Sequence, residues 1–172
     1  LALPMLVIAV VVKVTSPGPV LFRQRRVGLN GRQFTILQFR SMCADAEKAG
    51  VKWSDGDNDA RITPIGHVLR KFRLDELPQL LCILAGTMSL VGPRPELDVF
   101  YREFEKHVHG FSERLRVKPG LTGWAQINGG YDLAPQEKVK KDIEYIRNRS
   151  AWLDMKIIIK TVGIVFSHDG AK

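Results

Sequence analysis

Two adjacent carboxylates are the residues of this chain with the clearest chemical potential. Asp75 and Glu76 lie in the run RLDELPQLL at residues 73–81. Neighbouring acids can divide the work of a group transfer, because one can attack a phosphorus centre while the other holds a divalent cation. An ordinary helix start explains the same spacing. The pair therefore predicts catalysis only in combination with other residues.

Arg94 is the candidate phosphate ligand that complements the acids. It lies between Pro93 and Pro95 in the run GPRPE at residues 92–96. The prolines restrict the backbone, and a planar guanidinium can form two parallel hydrogen bonds to a phosphate. A plain surface turn is the alternative interpretation of this run. Three further arginines are second candidates for phosphate contact: Arg40, Arg70 and Arg73.

Hydrophobic spacing predicts two helices around the acid pair. Residues 66–73 have the pattern of an amphipathic helix, and residues 77–84 that of an apolar one. Asp75 falls at the junction, where we expect it to cap the second helix and to feel the positive end of its dipole. Because Pro78 has no N–H to bond the cap, the carboxylate is expected to stay free to react.

The first residues predict a membrane segment. Residues 1–12 are almost wholly apolar, and at about 1.5 Å per residue they cover about half of a bilayer core. Pro4 is expected to kink this helix. We therefore interpret residues 1–15 as the C-terminal half of a re-entrant membrane helix that begins upstream, and residues 16–172 as a cytosolic catalytic domain. A buried core helix and a signal-peptide remnant are the alternatives.

Composition and charge describe one folded domain with an anionic partner. The chain has 172 residues, 45% of them hydrophobic, and a formal net charge of +8. This charge suits nucleic acid, an anionic membrane surface or a phosphorylated substrate. Basic residues without intervening acids follow the apolar start, which is the bias of a cytoplasmic juxtamembrane segment. They are Lys13, Arg23, Arg25, Arg26, Arg32 and Arg40.

The remaining patterns predict a mostly helical α+β domain. Asn30-Gly31, between apolar runs at residues 20–27 and 33–39, predicts a β-hairpin. Residues 45–59 are predicted to form a polar surface loop. Residues 152–166 predict either a helix lying along a membrane interface or a buried core helix. The expected fold is a membrane-associated domain with this hairpin, the kinked N-terminal helix and interfacial helices.

Five segments, in this order, resemble the bacterial sugar transferase family, the monotopic polyprenyl-phosphate phosphoglycosyl transferases. The resemblance covers nearly the whole chain, from Pro4 to Lys172. The segments are SPGPVLFRQ at residues 16–24, FRSM at 39–42, LDELPQ at 74–79, GPRPE at 92–96 and KPGLTGWAQ at 118–126.

The resemblance implies a function at the cytosolic face of the bacterial inner membrane. A sugar 1-phosphate would pass from a nucleoside diphosphate sugar, usually a UDP-sugar, to a polyprenyl phosphate such as undecaprenyl phosphate, which starts exopolysaccharide or glycan assembly. Asp75 would be the nucleophile that forms a covalent phosphosugar intermediate, and Glu76 would bind Mg²⁺. We add Asp142 as a further polar residue of the site.

Two non-catalytic interpretations stay open beside this one. A basic scaffold at the membrane surface needs the apolar termini and the arginines but not the acid pair. A nucleic-acid-binding helix-turn-helix could be drawn over residues 69–84, although its second helix is rich in leucine and nearly uncharged. We expect no nucleic acid partner, and the sequence leaves a homo-oligomer open.

Overall fold

The computed structural model describes residues 2–46, 59–129 and 133–167. It is a mixed α+β fold, mostly helical and with a small antiparallel hairpin, which confirms the predicted class. Most of the predicted loop at residues 45–59 lies outside the described residues. In chain order the elements are α1 (Ala2–Thr15), β1 (Leu21–Val27), β2 (Gln33–Phe39), α2 (Pro64–Lys71), α3 (Gln79–Leu84), β3 (Ser89–Val91), α4 (Asp98–His107), β4 (Gly120–Thr122), α5 (Trp124–Ile127), α6 (Pro135–Arg147) and α7 (Ala151–Ser167), with 3₁₀ turns at Leu29–Gly31, Leu74–Glu76 and Phe111–Arg116.

The predicted hairpin forms from β1 and β2. The two strands pair antiparallel from Leu21 opposite Phe39 to Val27 opposite Gln33. Asn30 has φ 54° within the connecting turn, a left-handed conformation that asparagine tolerates better than most residues. The hairpin is thus closed by the turn residues that the sequence indicated.

Helix α1 packs against the elements that carry the acid pair. Val12 is buried with Phe39 of β2 and Leu69 of α2, and Leu74 and Leu77 pack on the same cluster. The last two of these residues flank Asp75 and Glu76 in the sequence. Apolar burial therefore joins the N-terminal helix directly to the turn that holds the acids.

The N-terminal helix is continuous over its described length. Pro4 lies in the first turn of α1, where the missing N–H removes no intrahelical hydrogen bond. Within residues 2–46, 59–129 and 133–167, no helix is both long and apolar enough to cross a membrane. The re-entrant bend and the division at residue 15 stay predictions.

A second, parallel pair of strands positions the GPRPE turn. β3 pairs with β4, the N–H of Gly92 donates to Thr122 O at 2.9 Å, and the N–H of Gly120 donates to Pro93 O at 3.0 Å. A Cβ at Gly120 would overlap the backbone of Gly92, so only glycine permits this approach. The turn that contains Arg94 is consequently attached to β4 on its N-terminal side.

The C-terminal helices complete the core. Pro135 is the first residue of α6, and Val139 packs in a cluster with Val27 and Phe111. On α7, Ile157 is fully buried, whereas Trp152 is 80% exposed. One face of this helix therefore packs in the core, and another presents apolar groups to the exterior. That the helix lies along a membrane interface stays a prediction.

Candidate active site

Asp75 and Glu76 lie in the 3₁₀ turn Leu74–Glu76 and not at a helix cap. The N–H of Leu77 donates to Leu74 O at 3.2 Å, which closes this turn, and α3 begins only at Gln79 with Pro78 as its N-cap. The prediction that Asp75 caps a helix starting at residue 77 is wrong. The hydrogen bonds explain the difference: the N–H groups of Leu77 and Leu80 each donate to the carbonyl oxygen three residues back, so a tighter 3₁₀ turn takes the place of the first turn of the predicted helix.

Arg73 turns the chain between α2 and the acid pair. Its backbone is left-handed, with φ 52° and ψ 25°, an uncommon conformation for a residue with a side chain. Such strain costs about 1 kcal/mol or more and persists only where the surrounding structure enforces it. Here it directs the acid-bearing turn away from the end of α2.

The two acids are both buried but have opposite pKa shifts. Asp75 is 9% exposed and Glu76 7% exposed. Burial, and then repulsion by Glu76, raises the pKa of Asp75 to about 7, against the opposing charges of Arg70 and Arg94. Burial would also raise the pKa of Glu76, but the Arg94 guanidinium more than offsets it and lowers that pKa. Glu76 therefore keeps its negative charge more readily, whereas the Asp75 carboxylate is the more basic of the two.

Arg94 lies against the acid pair, as the sequence predicted for this site. Its Nη2 donates to Oε1 of Glu76 at 2.7 Å, and its side chain keeps partial exposure. The flanking prolines are buried, and their carbonyl oxygens accept hydrogen bonds from the Gly120 N–H and from Arg26. A guanidinium on a firmly held turn is suited to binding phosphate oxygens beside the carboxylates.

The other predicted arginines divide into two groups. Arg70 donates through Nε to Ser41 Oγ at 3.0 Å, and its charge acts on Asp75, while the charge of Arg73 acts on Glu76. Arg40 is buried elsewhere and donates to the carbonyl oxygens of Ser16 and Pro17, at 2.6 and 2.8 Å. This geometry uses Arg40 to hold the chain after α1 and lends no support to its predicted phosphate contact.

Sequence reasoning missed Arg26 as a residue of the site. Its Nη1 donates to Pro95 O at 3.0 Å, and its charge lowers the pKa of Glu76. Arg23 and Arg25 of the same strand are exposed. Successive side chains of a strand point to opposite faces, so Arg26 lies on the face opposite to Arg23 and Arg25. That alternation is the signal that could have identified it.

Asp142 lies in a second buried ion network behind Arg94 and does not contact the acid pair. Arg114 pairs with Asp142 at 2.7 Å and with Glu96 at 3.4 Å, and Lys138 pairs with Glu96 at 3.2 Å. Burial raises the pKa of Asp142, although Arg114 acts against that shift. Sequence reasoning selected Asp142 but missed its three partners. Lys138 lies one helical turn before Asp142 on α6, and this spacing could have identified it. Nothing in the spacing of residues 96, 114 and 142 marks these three as neighbours.

The carboxylates are the groups that could hold a metal ion. Among the described residues there is no cluster of three or more histidine, cysteine or acidic side chains suited to a metal. Mg²⁺ typically takes one or two protein carboxylates and completes its octahedron with water and substrate phosphates. Glu76, with Asp75 beside it, is a donor set that fits this mode of binding.

Buried acids of unequal basicity, surrounded by guanidinium groups, are an arrangement that suits chemistry on phosphate esters. The sequence model of the family described as bacterial sugar transferase matches residues 1–168, and the chain belongs to that family. The resemblance stated from the sequence motifs is thereby confirmed.

Several relatives are similar over most of the chain. It is 44% identical to the UDP-N-acetylgalactosamine-undecaprenyl-phosphate N-acetylgalactosaminephosphotransferase of Aeromonas hydrophila, over 98% of this chain and 40% of that protein. It is 46% identical to the UDP-glucose:undecaprenyl-phosphate glucose-1-phosphate transferase of Xanthomonas campestris pv. campestris, over 91% of this chain and 34% of that protein. The chain thus spans two fifths or less of these two relatives. It is also 42% identical to the uncharacterized sugar transferase EpsL of Bacillus subtilis, over 93% of this chain and 76% of that protein.

Proposed function

We propose that this protein transfers a sugar 1-phosphate from a UDP-sugar to undecaprenyl phosphate through a covalent intermediate on Asp75. The observation that carries the proposal is the buried Asp75-Glu76 pair held against Arg94, with 2.7 Å between the Glu76 and Arg94 side chains. The substrate class rests on the names of the Aeromonas and Xanthomonas relatives, both undecaprenyl-phosphate sugar-phosphate transferases.

In the first half-reaction an oxygen of the Asp75 carboxylate attacks the sugar-bearing phosphorus of the donor. A bond forms between that oxygen and phosphorus, the bond from phosphorus to the bridging oxygen breaks, and UMP leaves with the electron pair. The raised pKa of Asp75 supports this role, because a more basic carboxylate is a better nucleophile. Arg94 and Arg70 would bind the non-bridging oxygens, where negative charge accumulates in the transition state.

In the second half-reaction a phosphate oxygen of the polyprenyl acceptor attacks the same phosphorus. The bond to Asp75 breaks, the carboxylate is regenerated, and a polyprenyl diphosphate sugar is released. Each substrate carries a phosphate or diphosphate, so simultaneous binding would concentrate negative charge in one pocket. A covalent relay separates the two substrates in time.

Glu76 is the residue we assign to Mg²⁺. Its lowered pKa keeps the carboxylate ionised, which a metal ligand requires. When bound, the cation would neutralise charge on the donor diphosphate and on the departing UMP. Arg94 already contacts Glu76, so the same carboxylate also orients the guanidinium that would bind a donor phosphate.

We place the protein at the cytosolic face of the bacterial cytoplasmic membrane, where a polyprenyl acceptor is accessible. α1 exposes an apolar stripe that includes Leu3, Leu6 and Val10, and α7 exposes Trp152 and Ile159. Exposed apolar faces of this extent are typical of contact with lipid or another apolar partner. The exposed arginines of β1 add attraction to anionic headgroups.

The helix-turn-helix alternative fits the structure less well. α3 would be the recognition helix, but it has only six residues and buries Gln79 and Cys82. Leu81 and Leu84 are its exposed large side chains. A helix that presents leucine and no charge has little with which to bind phosphates or base edges.

The decisive experiment compares Asp75→Asn with wild type for UMP release from UDP-glucose and UDP-N-acetylgalactosamine, with Mg²⁺, undecaprenyl phosphate and lipid present. We expect the substitution to abolish both UMP release and the phosphosugar adduct detected by mass spectrometry. Asp98→Asn is the matched control, because Asp98 forms a surface ion pair with Arg102 at 3.0 Å. Turnover retained by Asp75→Asn would eliminate Asp75 as nucleophile, and a wild type inactive with a full panel of UDP-sugars would favour the scaffold.

A further inference from the structure

We propose that Arg114, held by Asp142, is a positioning residue that sets the place of Arg94 in the active site. The inference rests on the proposed function, because it assigns Arg94 to substrate phosphate. It gives a role to a buried ion network that lies outside the acid pair and that the reaction steps above do not use.

A single guanidinium makes all the contacts that this role needs. Nη2 of Arg114 donates to the backbone oxygen of Arg94 at 3.0 Å, and Nη1 lies 3.4 Å from Oε1 of Glu96. Nε donates to Oδ2 of Asp142 at 3.0 Å, and Phe111 packs with its ring centroid 4.9 Å from the guanidinium carbon. Arg114 therefore connects the GPRPE turn at two points to α6.

The turn is held from the opposite side as well. The N–H of Val27 donates to Glu96 O at 3.0 Å, and Arg26 donates to Pro95 O at 3.0 Å. The backbone around Arg94 is thus bonded to β1 on one side and, through Arg114, to α6 on the other. Since the prolines on both sides of Arg94 have no N–H, carbonyl oxygens carry most of this anchoring.

The charges of the network balance without Arg94. Arg114 and Lys138 supply two cations, and Glu96 and Asp142 supply two carboxylates, all of them largely buried. Buried charges are tolerated when they are paired and hydrogen-bonded. Because these four groups neutralise one another, the network does not require the Arg94 guanidinium, which pairs with Glu76, while Arg114 holds the Arg94 backbone from behind.

A lysine cannot reproduce these contacts at position 114. One ammonium group has no rigid fork with which to reach Arg94 O, Glu96 and Asp142 together. Losing the bond to Arg94 O would let the turn move, and displacement of a substrate-positioning group by about 1 Å can cost on the order of 10²-fold in rate. The residue thus acts on the reaction through Arg94 and not by touching substrate.

The test is a double-mutant cycle, measured by enzyme kinetics on the full chain. Arg114→Lys, Asp142→Asn and Arg94→Lys are made singly, and each of the first two is also combined with Arg94→Lys. We expect each single variant to lower kcat/KM for UDP-sugar about 10- to 100-fold. We expect each double variant to be within about twofold of Arg94→Lys alone, because a misplaced lysine has little positioning left to lose. Arg116→Lys is the control, since Arg116 forms an exposed pair with Glu113 in the same segment and should leave activity unchanged.

A second readout separates this inference from the proposed function. UDP binding is measured by calorimetry in the Asp75→Asn background, with and without the Arg114→Lys, Asp142→Asn and Arg94→Lys substitutions and their double combinations. Wild type that fails to release UMP contradicts the proposed function, whereas the same non-additive loss of UDP affinity would still support the positioning role. Losses that multiply in the double variants, or UDP affinity unaffected by both Asp142→Asn and Arg114→Lys, would overturn it. If Arg114→Lys strongly lowers the unfolding temperature, the test of the positioning role rests on the Asp142→Asn variants alone.

Discussion

Asp75 and Glu76 are joined by one peptide bond yet differ in how readily they ionise. Burial acts on both, but Arg94 contacts Glu76 directly and compensates its charge, whereas Asp75 also experiences the charge of Glu76. The proposed function uses this difference, with Asp75 as nucleophile and Glu76 as metal ligand. The difference in ionisation follows from the placement of one arginine.

We expect Asp75, the proposed nucleophile, to lower the stability of the folded protein at neutral and higher pH. The pKa of Asp75 is about 7 in the folded protein against 3.8 as the ordinary value. Protonation of Asp75 therefore favours the folded state, and this contribution is lost as the pH rises through about 7. In metal-free buffer, Asp75→Asn should raise the free energy of unfolding at pH 8 by on the order of 2–4 kcal/mol, with a gain that shrinks toward zero near pH 4.

Urea unfolding at pH 4.5, 6 and 8 measures this effect, with Asp98→Asn as the control that should show no such dependence. A stabilisation by Asp75→Asn that is equal at all three pH values would contradict the assigned cause. The stability gained by removing an active-site acid is a common trade against activity.

Arg94 offers a second prediction for a single side chain. Arg94→Lys keeps the charge but loses the planar pair of donors that matches phosphate oxygens. We expect UMP release to fall about 10- to 100-fold, which corresponds to about 1.4–2.7 kcal/mol of transition-state stabilisation. Arg23→Lys, an exposed position on β1, is the control. Equal loss in both variants would indicate a general charge effect instead of a specific contact.

Among the elements, α2 is held at the end of β2 by a close backbone approach. Gly66 lies in the first turn of α2, and a Cβ there would overlap the carbonyl group of Ser41. Arg70 of the same helix donates to the Ser41 side chain, and the N–H of Thr63 donates to Ser41 O at 3.0 Å. The position of Arg70 beside Asp75 therefore depends on this contact.

Two glycines in helices should respond to alanine with opposite signs. Gly163 in α7 has no atom within 4 Å of an added Cβ among the described residues. Gly163→Ala should stabilise the protein by about 0.5–1 kcal/mol through helix propensity. Gly66→Ala should instead destabilise it by about 1–3 kcal/mol, because the helix must move off Ser41. Thermal unfolding of both variants tests this, and a stabilised Gly66→Ala would show that α2 can shift at little cost.

The distribution of apolar surface over the whole molecule suggests how it meets lipid. α7 packs Ile157 into a core cluster with Val91 and Tyr145, while Trp152 and Ile159 point outward. The helix can therefore contribute to the core and to a membrane surface at once. The outward residues can be changed without creating a cavity.

The combined substitution Trp152→Ser and Ile159→Ser should weaken membrane binding but not folding. Withdrawing two large apolar side chains from lipid costs about 1.5–3 kcal/mol each, so binding should fall at least about 100-fold. Co-sedimentation with vesicles that contain anionic lipid measures the effect. Val99→Ser on α4, also an exposed apolar position, is the control. Unchanged sedimentation of the double variant would remove α7 from the membrane surface.

Local patterns predicted elements well where the governing interactions are local. The hairpin follows from Asn30-Gly31, and α6 begins at Pro135, because turn conformation and helix initiation depend on a few neighbouring residues. The cap assigned to Asp75 was wrong for a related reason. Its spacing suited a helix start, but Leu77 and Leu80 form hydrogen bonds to the carbonyl three residues back, so the acids lie in a tighter turn and α3 begins only at Gln79.

The sequence by itself determined the chemistry that is possible: an acid pair, a proline-flanked arginine, an apolar N-terminal helix and the family to which the chain belongs. Only the tertiary structure decided which of many charged groups act on the pair. It brought Arg26 from β1 toward Glu76, assigned Arg40 to the end of α1, and placed Asp142 behind Arg94 through Arg114. The physical reason is that charge and burial act through space, between residues whose separation along the chain carries no local signal.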